Sequence, residues 1–407
     1  MTTRAEALDG TELVDRYSPI SEAVVADPFP SYAALRSTCP VHRGDRPGAP
    51  LYTVSRYDDV VGALRDSATW SNRHGPGIGF SDQSRGDMQH DDEPEHQRRR
   101  GLALPWFLPS AVRRLEGELR ALAETLVDGF AAARHADLYA EFALPLPVTS
   151  FCSVLGLTVD DRQQFVAWAD ALTLGMAYPD RSEQARRELS AFTIAEVERR
   201  RQLASDGEAL PEGLLSYLVI APWDDDGAPM PATEVVGMVN QLLVAGHETS
   251  TSLITNCLWR LLEGREERWE RIVADDALVP AAVEESLRFD PPVLGLCRTN
   301  VRDTEVTGVA IPADSKLMLL FASANRDEAV FDDAGSFRLD RPPTQACRHL
   351  AFGWGIHHCL GSRLARLTGR VAVETLAARL PSVRLDGPTE RVPSPFLWGR
   401  KRLPVAW

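Results

Sequence analysis

The segment Phe352-Gly353-Trp354-Gly355-Ile356-His357-His358-Cys359-Leu360-Gly361 holds the residue types with the most chemistry in this chain. Cys359 stands directly before a helical pattern, where unsatisfied N–H groups and the helix dipole favour a thiolate. Gly355 and Gly361 let the backbone approach a large flat partner without a Cβ in the way, and Phe352 supplies an aromatic wall. A thiolate in apolar surroundings with one open face is the arrangement that binds a haem iron through sulfur. The plain alternative is a buried structural cysteine in a glycine-rich turn. Zinc is a poor reading, because the adjacent His357, His358 and Cys359 cannot easily close one tetrahedron.

A second group lies inside an apolar helical run: Ala245-Gly246-His247-Glu248-Thr249, preceded by Leu242, Leu243 and Val244. Gly246 would thin the helix so that a ligand can lie against it. Thr249 can bond back to a carbonyl and open the ladder locally, leaving room for water. Glu248 beside it can feed protons. The zinc motif H-E-x-x-H fails here, since position 251 is Thr. Glu285 and Arg288 sit at i, i+3 on one helix face and permit an ion pair. His96 and Arg100, at i, i+4, offer two donors on one face to a carboxylate.

These residues resemble the cytochrome P450 family. Phe352 to Gly361 matches its haem-thiolate signature F-x-x-G-x-x-x-C-x-G, and Ala245 to Thr249 its oxygen-activating A-G-x-[D/E]-T. Asp92-Glu93-Pro94-Glu95-His96 through Arg100 is similar to D-P-P-E-H-x-x-x-R, with Glu93 in place of a proline. Gly308 to Ala313 and Ala324 to Asp327 also follow the family pattern. The likeness runs from about Asp27 to the C-terminus, with no motif between about Ala111 and Ala221.

The resemblance implies a mainly α fold with a small β-rich lobe, as one domain over 27–407 after a partly ordered N-terminal extension, 1–26. It implies haem b with Cys359 as the iron ligand, Ala245, Gly246, Thr249, Phe352, Gly353 and Gly361 around it, and His96, Arg100, Arg298 and His357 on the propionates. Glu248 and Thr249 would handle protons. Glu285, Arg288 and a third residue, Arg341, would be structural. The activity implied is insertion of one oxygen atom of O₂, by hydroxylation or epoxidation, into a mainly apolar small or medium organic molecule, such as a secondary metabolite. Electrons would come from NAD(P)H through a ferredoxin or flavodoxin. Ile78, Phe80, Ala245, Val293, Leu294, Phe396 and Leu397, with the 172–178 stretch, would face the substrate. Arg98, Arg99, Arg348, Arg363 and Arg366 would form a basic patch for the redox partner. An H₂O₂-using peroxygenase and a haem sensor or carrier are the alternatives; neither needs the Glu248–Thr249 pair.

The elements that must position these groups read mostly as helix. Short helices are expected at Asp27–Arg36 and Asp58–Arg65, and a long one from Thr233 to about Gly264. Another carries Pro280–Phe289, and a last one runs from Leu360 to Leu380. Leu51–Ser55, Glu305–Thr307 and Lys316–Leu319 read as strands, Ser71–Met88 as a glycine-rich loop, and Arg326–Ala346 as an irregular meander. The 407 residues carry a net charge of −14, so nucleic acid and anionic membrane are poor partners. Lys316 and Lys401 are the only lysines, which reads as codon bias. The scattered cysteines suggest no disulfide framework. No apolar leader and no clean run of ~18 apolar residues is present, so a cytoplasmic protein is expected.

Overall fold

The longest helix, Ala232–Glu263, has 32 residues and at ~1.5 Å each spans about 48 Å. The structure is a computed structural model that describes residues 9–44, 50–80, 86–157, 162–175, 180, 182–224 and 226–407. The helices Pro145–Leu155, Arg162–Gly175, Glu183–Ser205, Val279–Phe289 and Ser362–Arg379 all pack on the long helix. From Ser250 to Leu258 it is buried on every side. Polar groups in that stretch therefore depend on protein partners; Thr251 Oγ1 has none among the described residues. Asn256 donates to the carbonyls of Asp290 (3.0 Å) and Trp398 (2.8 Å), and the Arg400 N–H donates to Thr255 Oγ1 at 3.3 Å. A Cβ on Gly399 would stand 2.0 Å from Ser252 Oγ, so only glycine lets the C-terminal segment pass this close.

The β-rich lobe is a five-stranded sheet in the order Val41–Gly44, Leu51–Val54, Lys316–Leu319, Leu296–Asn300, Trp70–Ser71. Leu51–Val54 and Lys316–Leu319 run parallel; the other pairs are antiparallel. The mainly α fold with a small β-rich lobe is thus the observed one. Helix ends lie within two residues of expectation at Phe29–Thr38, Tyr57–Arg65, Val279–Phe289 and Ser362–Arg379. The C-terminal strands are new: Glu390–Arg391 pairs with Arg400–Arg402, and Pro404–Ala406 joins His135–Asp137 to Arg384–Leu385. Two or three residues are too few to show alternation in a sequence.

Buried ion groups tie the lobes together. Glu285, 1 % exposed, accepts from Arg288 (2.6 and 2.9 Å) and from Arg341 (2.8 Å). Arg288 also donates to the Asn325, Ala334 and Ser336 carbonyls, which fixes the meander against the helix. Asp290, fully buried, accepts from Arg260, Arg326 and the Trp398 indole N–H. Tyr17 and Val24, from the segment before Asp27, join an apolar cluster with Tyr32, Leu35, Phe396 and Trp398.

Candidate active site

Cys359 follows a short 3-10 turn, Gly355–His357, and precedes the helix Ser362–Arg379. Its N–H donates to the Phe352 carbonyl at 2.9 Å, closing the loop. Gly353 and Gly355 have φ of +65° and +72°. A Cβ on Gly355 would also meet the Leu64 carbonyl at 2.4 Å, so this position excludes other residues twice over. Gly361 has no such backbone need; a Cβ there would lie 4.0 Å from Cys359 Sγ. Cys359 is exposed, yet desolvation by surrounding protein pushes its thiol up, against the opposing pull of the Gly361 N–H, Arg100 and Arg366. The helix-end setting alone therefore does not ionise it; a metal ion at sulfur would.

Phe352 is half-buried with the Arg366 guanidinium 4.5 Å over its ring. Glu284 grips Arg366 (2.5 and 3.0 Å) and His349 (3.1 Å). Burial pushes the Glu284 carboxyl up, but these two partners outweigh it and bring it to about 2.

His96, Arg100, Arg298 and His357 converge beside this loop. The His96 and His357 rings are 4.3 Å apart, and Arg100 donates to the His358 carbonyl at 2.8 Å. Arg298 is 5 % exposed, and its guanidinium bonds the Cys297 carbonyl at 2.9 Å; no carboxylate pairs with it among the described residues. Burial brings Arg298 down to about 10. Burial, and then Arg298, His96 and Arg100, push His357 down to about 2. Its Nε2 is buried without a hydrogen-bond partner. Arg298 and Arg100 bring positive charge that no ion pair among the described residues takes up, and the neutral His96, bonded to Glu93 at 3.2 Å, and His357 bring ring N–H groups. Such donors suit a doubly anionic ligand, so the set fits the two propionates of haem, and Cys359 fits its iron.

On the long helix, Ala245 is exposed and Thr249 half-buried while Leu242, Leu243, His247 and Glu248 are buried. The Thr249 hydroxyl donates to the Ala245 carbonyl at 2.8 Å, as expected of a threonine that back-bonds its own helix. Gly246 departs from expectation. A Cβ there would meet Phe151 Cδ2 at 2.5 Å, so this glycine admits the neighbouring helix rather than a ligand on that side. Glu248, 3 % exposed, turns toward Asp170 and Lys401. Burial and Asp170 raise it to about 8, against the pull of Lys401.

Several expected substrate contacts need correction. Ile78, Leu294 and Phe396 are at most 4 % exposed and lie in the apolar cluster around Tyr32 and Leu35, so they are core. Leu397 is 5 % exposed and bridges Val293 through backbone. Val293 and Leu296 are half-buried, so the open positions of that segment flank Leu294. Phe80 is 45 % exposed, its ring 5.2 Å from the Lys316 ammonium. Lys316 donates to the His74 and Gly75 carbonyls, pinning the glycine-rich loop. Residues 176–178 of the 172–178 stretch, and the Leu174 side chain, lie outside the described residues.

The expected basic patch also changes. Arg99 is buried between Asp91 (2.6 Å) and Glu234 (2.7 Å), a latch from loop to long helix. Arg366 is taken by Glu284. Arg348 and Arg363 are exposed, and Trp354, 39 % exposed, carries the Arg65 guanidinium 5.4 Å over its ring. Sequence reasoning missed Asp170 and Lys401; the scarcity of lysine was the available signal.

A family model described as Cytochrome P450 matches residues 273–380. Cytochrome P450 monooxygenase PikC of Streptomyces venezuelae is 36% identical over 401 residues, covering 95% of this chain and 93% of its own. Vitamin D(3) 25-hydroxylase of Pseudonocardia autotrophica is 35% identical, with 97% of each chain covered. Among solved structures, CYP109E1 from Bacillus megaterium in complex with testosterone superposes with a TM-score of 0.84 at 26% identity, covering 95% of this chain and 99% of the other. No helix among the described residues is long and apolar enough to cross a membrane.

Proposed function

This chain belongs to the cytochrome P450 family as a monooxygenase of organic substrates, and on that premise we propose that it binds haem b and oxygenates a mainly apolar molecule of secondary metabolism. The observation that carries the reading is the convergence of His96, Arg100, Arg298 and His357 beside the Cys359 loop, with no carboxylate answering Arg298 among the described residues.

Haem, when bound, supplies the oxygen-activating redox chemistry. Cys359 Sγ would hold its iron, with Phe352, Gly353 and Gly361 shaping the loop. His96, Arg100, Arg298 and His357 would neutralise the propionates and fix its orientation. Ala245, small and exposed on the long helix, would leave room beside the haem. Thr249 keeps its Oγ1 proton on the Ala245 carbonyl, so its oxygen lone pairs remain free to accept from water. Glu248, protonated at neutral pH, is the nearby acid that replaces protons consumed with O₂. A buried acid built into a network serves O₂-dependent turnover; a peroxide-driven enzyme has less need of it.

Apolar Ala245, Val293 and Leu296 favour a hydrocarbon-rich substrate, in keeping with the vitamin D(3) and testosterone named for relatives. Electrons from NAD(P)H would arrive through an acidic ferredoxin on the face bearing Trp354, Arg65, Arg348 and Arg363. The test is Cys359→Ser. The reduced, carbon-monoxide-bound variant should lose the far-red-shifted Soret band of thiolate ligation; retention of that band sinks the assignment.

A further inference from the structure

We propose that Asp170 is the residue through which Glu248 exchanges its proton with solvent, and that Lys401 holds Asp170 in place for that exchange. The inference rests on the reading of Glu248 as proton donor and adds the outer half of the path.

The carboxyl oxygens of Asp170 and Glu248 and a ring nitrogen of His247 lie within 4.8 Å of one another. Glu248 comes from the long helix, Asp170 from Arg162–Gly175, and Lys401 from the strand Arg400–Arg402. Glu248 is 3 % exposed, whereas the Asp170 and Lys401 side chains are 31 % and 33 % exposed. Asp170 thus spans the two environments. Its Oδ2 accepts from Lys401 Nζ at 2.7 Å. Its Oδ1 is buried without a classical donor, and so is Glu248 Oε2.

Two facing carboxyls are satisfied only when one carries a proton that the other accepts. Among the described residues, the other groups around them supply no second positive charge. Burial brings His247 down to about 4, so it is neutral, with Nε2 3.7 Å from Glu248 Oε2. Burial, then Glu248 and Asp170, push the Tyr139 phenol well up, so it too is neutral. The cation that faces the pair is Lys401, already on Asp170. The proton therefore sits on Glu248, held by burial and by Asp170.

Asp170, His247 and Glu248 are also metal-ligand types. The Lys401 ammonium, bonded to Asp170, occupies the place of a cation and repels another. The cluster is protonic.

The step balances simply. One proton leaves Glu248 on the cavity side, and its carboxylate takes one from Asp170, which takes one from water. Two such protons accompany the two electrons that the redox partner delivers to each O₂; the proton path carries no electrons. Lys401 reaches Asp170 because Asn256, Thr255 and Ser252 fasten the C-terminal segment to the long helix.

The experiment is infrared spectroscopy of the resting holoenzyme after rapid transfer to D₂O, which needs no substrate. The parent should show a protonated carboxyl C=O stretch at pH 7 that Glu248→Gln removes, and its deuterium shift should be fast. Asp170→Asn should slow that shift by about ten-fold or more and move the band's pH midpoint down, since a negative neighbour is gone and Lys401 is left unanswered. Asp170→Glu should restore the fast exchange. A band that exchanges as fast in Asp170→Asn as in the parent overturns the path. So does a parent with no such band. Slow exchange that Asp170→Glu fails to rescue assigns Asp170 to packing and overturns it as well. The donor reading is judged separately by the product formed per electron in Glu248→Gln. If that yield is unchanged, Glu248 is not the donor, whatever the exchange rates.

Discussion

The two charged regions beside the long helix are built with opposite sign and by opposite means. Around Cys359, His96, Arg100, Arg298 and His357 crowd together and Arg298 meets no carboxylate among the described residues. Around Glu248, two carboxyls crowd together and one ammonium answers them. The buried Arg298 charge, bonded to one carbonyl and flanked by neutral imidazoles, waits for an anion. An excess of buried acid keeps a proton. Each excess costs stability in the protein by itself, and each is the property that the site uses.

Arg298 gives the sharpest break of this comparison. It is 5 % exposed, bonds one carbonyl, and is held below its usual range by burial. Arg298→Leu should remove a charge-assisted bond of about 1.5–3 kcal/mol to a propionate. Haem transfer to a scavenging apoprotein should then accelerate about ten- to a hundred-fold. The haem-free variant should melt no lower than the haem-free parent, because a poorly paired buried charge is gone. A lower melting temperature with unchanged haem loss would make Arg298 an ordinary structural residue.

Glu248 tests the acid side with the opposite sign. Its folded value, about 8, is raised from an ordinary 4.5. Between those values the folded chain holds a proton that the unfolded chain releases, so stability falls as pH rises through that window. Glu248→Gln keeps the neutral shape without the titration. Thermal melting of the variant should exceed that of the parent by a few degrees at pH 9, on the order of 1 °C per kcal/mol for a chain of this length. The gap should narrow toward pH 5. A gap that is flat with pH would show Glu248 to be ionised in the fold.

The contrast also explains what the sequence reveals. The cysteine site is legible because much of it is one short segment whose glycines and cysteine are fixed by local geometry; Gly355 has its positive φ and a carbonyl at its back. Thr249 is legible for the same reason, since its partner is its own helix. The acid cluster is assembled from Asp170, Glu248 and Lys401, over two hundred residues apart at its extremes, and no periodicity links them. Leu294 and Val293 show a finer limit. Both are apolar and adjacent, and only tertiary packing decides that Leu294 is buried in the cluster around Tyr32 while Val293 stays half-buried. Arg99 reads as surface because it is the middle of three consecutive arginines, yet Asp91 and Glu234 enclose it. The scarcity of lysine carried more than codon bias. Lys316 pins the Phe80 loop and Lys401 holds Asp170.

The smallest effect expected lies at the surface, where positive charge serves docking rather than haem. Arg363 is exposed, has no ion pair among the described residues, and its charge is felt at His358 next to Cys359. Trp354 and Arg65 add a flat apolar contact with a cation over it. An acidic ferredoxin meeting this face would gain from Arg363 what an exposed ion pair gains, about 0.2–1 kcal/mol. Arg363→Glu should therefore slow first-electron transfer from such a ferredoxin about two- to five-fold at low salt. The loss should fade as salt shortens the Debye length below ~10 Å. Reduction by dithionite, which docks nowhere, should stay unchanged. Arg99→Glu provides the contrast: its charge is spent on Asp91 and Glu234, so it should loosen the loop and lower thermal stability while leaving the salt slope of the ferredoxin rate intact. If Arg363→Glu leaves both the rate and its salt slope untouched, while Arg99→Glu alters the slope, the partner docks on the helix side of the loop and not over Trp354.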